Sequence, residues 1–292
     1  FTLCASTAQT ARNAMQRDLI RTIGTGGATY VRFIFALPFT FALVLFGMCG
    51  LGHAFPHFGA AALGWTFAGA AAQIIATALM LAGMRQRSFA VVIAFIKTEP
   101  VLIAIIGIAL LNDTPTLAVA AAIVVATAGV MLISWPKIGS SQDAEAKDWR
   151  PALLGLAGGL FFALSAISYR GALMTLETPS IFMAAAGMQM IGQLMQSIPA
   201  LIYLALADRK TLRGIVVSWR PSLFAGTMGA VASLFWFMAF ALTSAAKVRT
   251  LALVEVPMAM IVSRQIFKQG ASVRDYAGMV LIVAGIVVLL NG

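Results

Sequence analysis

The sequence predicts an all-α, polytopic membrane protein, with ten transmembrane helices forming two inverted five-helix repeats. Three observations point there. First, 61% of the 292 residues are hydrophobic and only 10% are charged, with a mean hydropathy of +0.93. A soluble domain has about 25% charged residues, so 20 Lys and Arg with 10 Asp and Glu cannot furnish a water-facing surface here. Second, the apolar residues fall in runs of about 20, the length at which a helix crosses a hydrocarbon layer about 30 Å thick. Third, the basic residues collect in alternate gaps between those runs. The apolar content excludes a disordered chain, and two cysteines exclude a disulfide scaffold.

In chain order, a more polar segment at about 1–15 is the first span. Nine apolar ones follow at about 25–48, 59–83, 88–110, 116–135, 151–174, 180–206, 221–243, 247–267 and 274–291. Because the chain opens at Phe1, partway into the first span, further residues are expected to precede it. Gly50 to Pro56, Asn112-Asp113-Thr114-Pro115 and Glu177-Thr178-Pro179 are turn chemistry between spans. The longest polar stretch, 136–150, contains Gly139-Ser140-Ser141 and reads as a linker between a first unit at 1–135 and a second at 151–292. Lipid offers the backbone no hydrogen-bond partners, so spans of this length are helices. Without ten-residue alternation, a barrel is excluded.

The basic residues orient the bundle. Arg17 and Arg21 follow span one, Arg85 and Arg87 span three, and Lys137, Lys147 and Arg150 span five. Arg209, Lys210, Arg213 and Arg220 follow span seven, and Arg264, Lys268 and Arg274 span nine. Only Arg170, Lys247 and Arg249 approach the other face. By the positive-inside rule the odd-numbered loops are cytoplasmic and both termini external. Trp135, Trp149 and Trp219 mark the same boundary as an aromatic belt. Charges that flank spans form no nucleic-acid patch. The formal charge of +10 therefore records topology.

The halves are weakly similar. An offset of 156 relates Glu99 to Glu255, Thr116 to Ser272, Gly129 to Gly285 and Val130 to Ile286. Pro100 and Pro257 follow the two glutamates, and "ARNAM" (11–15) parallels "YRGALM" (169–174). Five spans per copy is odd, so the second copy enters the bilayer inverted, a recurrent build of secondary transporters with a midplane site. Small residues such as Gly69, Gly155, Gly158, Gly159, Gly278 and Gly285 suit close helix contacts.

Arg32 in "TYVRF", Pro100 in span four, and "AAIVVATAGVMLIS" after the next turn resemble the drug/metabolite transporter superfamily. In the second half "VEVPMAMIVSRQIF" and "YAGMVLIVAGIVVLL" match the same pattern. The similarity covers essentially the whole chain and is greatest to the EamA-type branch of ten-helix exporters. Asp113 stands where the family has an acid after span four, whereas Lys268-Gln269-Gly270 occupies the equivalent place in the second half. The resemblance implies export of amino acids or similar small metabolites, with multidrug or amphiphile efflux as the alternative.

An ionisable residue at mid-membrane is costly unless paired or hydrated, which makes Lys97, Glu99 and Glu255 functional suspects. Two readings of the carboxylates stand: a proton-coupling site or amine anchor, and a helix-fixing ion pair with Lys97, Arg32, Lys247 or Arg249. Lys97 and Glu99 are two residues apart and point to opposite sides of a helix, so Lys97 needs another partner. Pro100 and Pro257 remove backbone hydrogen bonds and are candidate hinges. Gln9, Thr10 and Asn13 make span one amphipathic. Gln73 with Thr77, Ser165 with Tyr169, and Gln189 with Gln193 and Gln196 form polar stripes that line a wet cavity or bond neighbouring helices. Trp236 is a candidate stacking platform for a substrate.

Other chemistries are poorly supported. His53 and His57 lack a third ligand, so no metal is expected. Cys4 and Cys49 read as small buried hydrophobes. No phosphate-binding glycine loop exists to use ATP, and no cofactor is implied. No nucleophile–base constellation marks an enzyme, although Glu99, Lys97 and Glu255 could do acid–base work. The expected partners are a small-molecule substrate and the lipid bilayer of the inner (plasma) membrane. The chain itself is expected to be a monomer or weak homo-oligomer.

Overall fold

The computed structural model describes residues 1–86, 89–134, 150–256 and 273–291, and every regular element among them is helical. Helix α1 (Thr2–Ile34) is two helices joined at Gly24, whose φ of 70° and ψ of 176° only glycine adopts readily. Gln16 bridges this break by donating to the Ala28 carbonyl at 2.7 Å. The first helix thus runs past residue 15 and carries Arg17 and Arg21 within it. Helix α2 (Leu37–Leu45) continues into a π-helical turn (Phe46–Gly50), and α3 (Ala60–Gln86) follows a loop.

Where the sequence predicts one fourth span, the structure has two helices. Helix α4 (Phe89–Ile96) stops at Lys97-Thr98, and α5 (Glu99–Leu111) starts afresh with Pro100 in its first turn. Proline belongs there, since its missing N–H would have had no helical acceptor. The Thr98 hydroxyl donates to the Phe95 carbonyl at 2.8 Å and closes off α4. Asn112, in the left-handed region at φ 53°, ends α5.

Helices α6 (Leu117–Ser134), α7 (Arg150–Met174) and α8 (Ile181–Leu206) match expected spans. The basic segment after α8 is not a plain loop. Asp208 caps a short amphipathic helix α9 (Arg209–Val217), bent 113° away from α8. Helix α10 (Trp219–Leu242) leads to α11 (Ala245–Leu251), which tightens into a 3₁₀ turn (Ala252–Val254) before Glu255. Helix α12 (Val273–Asn291) closes the described chain. Pro257 and the linker residues 136–149 lie outside the described residues.

The halves interleave. Helix α3 packs along α7, α1 along α10, and α6 along α12. The last pair meets backbone to backbone: a Cβ on Gly129 would lie 2.6 Å from the Gly278 oxygen, and one on Gly285 2.8 Å from the Ala122 oxygen. The larger apolar core joins Ile103, Ile167, Met188 and Phe240, and a second joins Leu19, Ile23, Met80 and Ile96. Outward faces carry exposed Phe41, Phe67, Ile105, Val124, Ile202 and Val280, a surface suited to lipid. Among the described residues, Thr2–Gly50, Ala60–Arg85, Ala152–Met174 and Trp219–Leu242 are long and apolar enough to cross a membrane. Ile181–Leu206 with Arg209–Val217 makes a fifth, bent candidate.

Candidate functional site

A buried cavity lies where α1, α3, α7, α10 and α11 converge. It has room for little more than a water molecule, so the structure is closed around it. Four residues singled out from the sequence line it together: Gln73, Ser165, Tyr169 and Trp236. Gln9 joins them, its side-chain oxygen accepting from Trp236 Nε1 at 3.1 Å. Tyr169 tilts against Phe237 with ring centroids 4.5 Å apart, and Trp236 stacks on Phe240 at 6.1 Å. Glycine sets how closely Tyr169 is held. A Cβ on Gly69 would lie 3.2 Å from its ring, and one on Gly192 3.0 Å from its hydroxyl.

Three guanidiniums share this wall: Arg12, Arg32 and Arg249. Arg12 donates twice to the Asn13 side-chain oxygen, at 3.2 and 2.7 Å. Arg32 donates to the Thr77 hydroxyl at 2.9 Å. Arg249 lies 4.0 Å from the centroid of the Trp236 ring, a cation–π contact in a desolvated setting. Helix α10 comes close enough to α1 to frame these groups because residue 229 is glycine: a Cβ there would sit 3.3 Å from Arg12 Cδ.

Thr77 therefore reaches the site through Arg32 and does not line it. Gln189 lies outside it as well, donating to Thr40 Oγ1 and the Ala230 carbonyl, both at 3.0 Å. Thr40 in turn donates to Gln193 at 2.8 Å. Gln196 donates to Gln73 at 2.9 Å and reaches the Tyr169 hydroxyl at 3.4 Å. Most of the glutamine stripe on α8 thus ties helices together, and its last member braces the cavity wall.

Lys97, Glu99 and Glu255 enter two ion pairs beside the cavity. Glu99 in the first turn of α5 meets Arg249 in the last turn of α11 at 2.9 Å. Each charge sits at the helix end whose dipole favours it. Lys97, at the α4–α5 break, pairs with Glu255 after the 3₁₀ turn. Neither carboxylate lines the cavity. Pro100 stands beside Glu99 at the start of α5.

An open vestibule of about 500 Å³ lies on the side of the α5–α6 loop, lined in part by Asp113, Thr116, Arg170 and Lys247. Arg170 approaches Asp113 at 3.8 Å and donates to the Phe240 carbonyl, joining α7 to α10 there. Among the described residues no group of three His, Cys, Asp or Glu side chains is arranged to hold a metal, and Cys4 and Cys49 are exposed.

Sequence reasoning missed Arg12 and Arg32 as cavity residues. Both were visible as basic residues at membrane depth, the same signal that marked Glu99.

A family model described as the EamA-like transporter family matches residues 1–135 and again 149–291. No curated protein matches. Among solved structures, one described only as the crystal structure of a protein aligns over 99% of this chain and 97% of its own. The TM-score is 0.65 at 14% identity, which shows a shared fold and nothing of substrate.

Proposed function

The chain belongs to the EamA-like transporter family, and on that premise we propose that it exports small metabolites, amino acids among them, across the inner membrane. In this reading ten helices form two inverted repeats, 1–135 and 151–292, joined by 136–150. They alternate access to the closed cavity at their interface, and no substrate bond is made or broken. The single observation that carries the reading is that cavity: buried, part polar and part aromatic, lined by α1, which is broken at Gly24, and by Arg249 of α11, which meets Glu99 at the α4–α5 break. Discontinuous helices at a central site are a recurrent transporter feature, because their ends supply dipoles and their junctions can move. The two ion pairs hold those junctions together in the closed state and are the candidates for coupling.

Uptake of labelled amino acids and drugs into liposomes containing the purified protein, with and without a pH gradient, tests this. Unaltered substrate on the far side supports transport, and chemically altered substrate indicates an enzyme. Flux indifferent to the gradient removes Glu99 and Glu255 from the proton-coupling role.

A further inference from the structure

The cavity wall holds three guanidiniums and, among the described residues, no carboxylate. Arg249 has Glu99 as its counter-charge behind the wall. Arg12 and Arg32 have none among the described residues: they are 1% and 3% exposed, and their side-chain hydrogen bonds among those residues go to neutral Asn13 and Thr77. A buried charge without a partner is strongly unfavourable, so two of them facing one small cavity call for an opposite charge. A guanidinium has five N–H donors. Arg12 uses two of them on Asn13 and Arg32 one on Thr77, which leaves donors on both.

We propose, resting on the transporter reading above, that the cavity binds a small organic anion. Arg12 and Arg32 hold its acid group, and its apolar body lies against Trp236 and Phe240. The planar fork of arginine matches the paired oxygens of a carboxylate or phosphate, and a pair of forks holds one acid group from two sides. An ammonium group finds only neutral acceptors on this wall, such as Ser165 and Tyr169, among like charges. The rings of Trp236 and Phe240, stacked at 6.1 Å, supply an apolar face beside the cations. An anion also offsets the repulsion among the three arginines, and because the closed cavity has room for little more than a water molecule, it enters when the helices around the cavity part.

Calorimetric titration of the full purified chain tests this with 3-phenylpropionate and phenyl phosphate as acids. 3-Phenylpropionamide serves as neutral probe, phenethylamine as cation, and phosphate and chloride as inorganic anions. Both acids, or one of them, are expected to bind roughly tenfold or more tightly than amide and amine, which tells carboxylate from phosphate preference. Arg12→Gln and Arg32→Gln should each weaken acid binding roughly ten- to hundredfold and leave amide binding unchanged. If a glutamine variant does not fold, Arg32→Lys carries the test: weakened acid binding with the acid preference kept is expected, and unchanged affinity overturns the proposal. Amide or amine binding as tightly as acid overturns it. So does equal loss of all probes, or displacement of the organic acids by inorganic phosphate or chloride at equal concentration. Acid binding without flux in liposomes would sink the transporter reading alone. Flux of a cation that acids do not inhibit would sink the anion assignment alone.

Discussion

Lys97 and Glu255 form an ion pair between the two halves of the chain, each placed at the interruption of a helix. A second pair, Glu99 with Arg249, runs the opposite way: here the first half supplies the acid and the second the base. The two contacts cross-link the junction of α4 and α5 to the segment that follows α10. Both are largely buried, so the loss of one partner leaves a charge with little water.

Lys97→Met alone should therefore destabilise the protein by about 3–5 kcal/mol, the usual effect of orphaning one member of a buried pair. Lys97→Met combined with Glu255→Gln should recover most of that. Thermal melts of the single and double variants in one detergent check it; a double variant no more stable than the single would refute the pair.

Pro100 lies in the first turn of α5, where it interrupts no helical hydrogen bond. Pro100→Ala should leave the break between α4 and α5 in place and change stability by less than about 1 kcal/mol. Hydrogen exchange across 96–103 reports on it, and new protection at residue 100 together with Lys97 and Thr98 would mean the proline made the break.

At the α6–α12 crossing, a Cβ on Gly278 would fall 2.7 Å from the Gly129 oxygen and 2.4 Å from Ile133 Cγ1. Gly278→Val should cost roughly 1–3 kcal/mol or more, the range for overpacking. Gly64→Ala, with open space around the added carbon, should be neutral or slightly stabilising. Comparing their melting temperatures separates tight packing from a general intolerance of substitution.

Asp208 accepts the Thr211 backbone N–H at 3.0 Å as the cap of α9, and its carboxyl is held below the ordinary aspartate range, first by that residue's hydrogen bonds. A depressed folded-state pKa means the stabilisation is complete above the unfolded value and is lost as pH falls through the folded one. Exchange of the α9 amides should therefore rise in acid beyond the intrinsic trend. Asp208→Asn, still a good cap, should abolish that extra acid sensitivity. An identical pH profile in the variant would remove the carboxyl from the explanation.

The apolar helices were legible because hydropathy over 20 residues is a collective signal that single exceptions do not erase. Breaks were not. Pro100 suggested a bend, yet the residues that meet the α4–α5 break, Arg249 and Glu255, are more than 140 residues away in sequence. The amphipathic α9 was hidden in a cluster of basic residues that also reads as a loop. Within the site, Trp236, Tyr169, Ser165 and Gln73 were recognisable as polar or aromatic groups at membrane depth. Thr77 and Gln189 carried the same signal and face Arg32 and Thr40 instead, because sequence gives depth but not the neighbour across the bundle. Arg12 drew notice for its match to Arg170 in the repeat, and its place beside Arg32 and Arg249 needed the fold.

The crossed ion pairs also place a demand on biosynthesis. Lys97 and Glu99 leave the ribosome about 150 residues ahead of Arg249 and Glu255. At roughly 5–20 residues per second, that is a wait of about 8–30 s. During it the first half holds an uncompensated lysine and glutamate at membrane depth, in the insertion machinery or in a hydrated, unfinished bundle. A nascent chain stalled before residue 249 would display those charges, and so carry its own mark of incompleteness for membrane quality control.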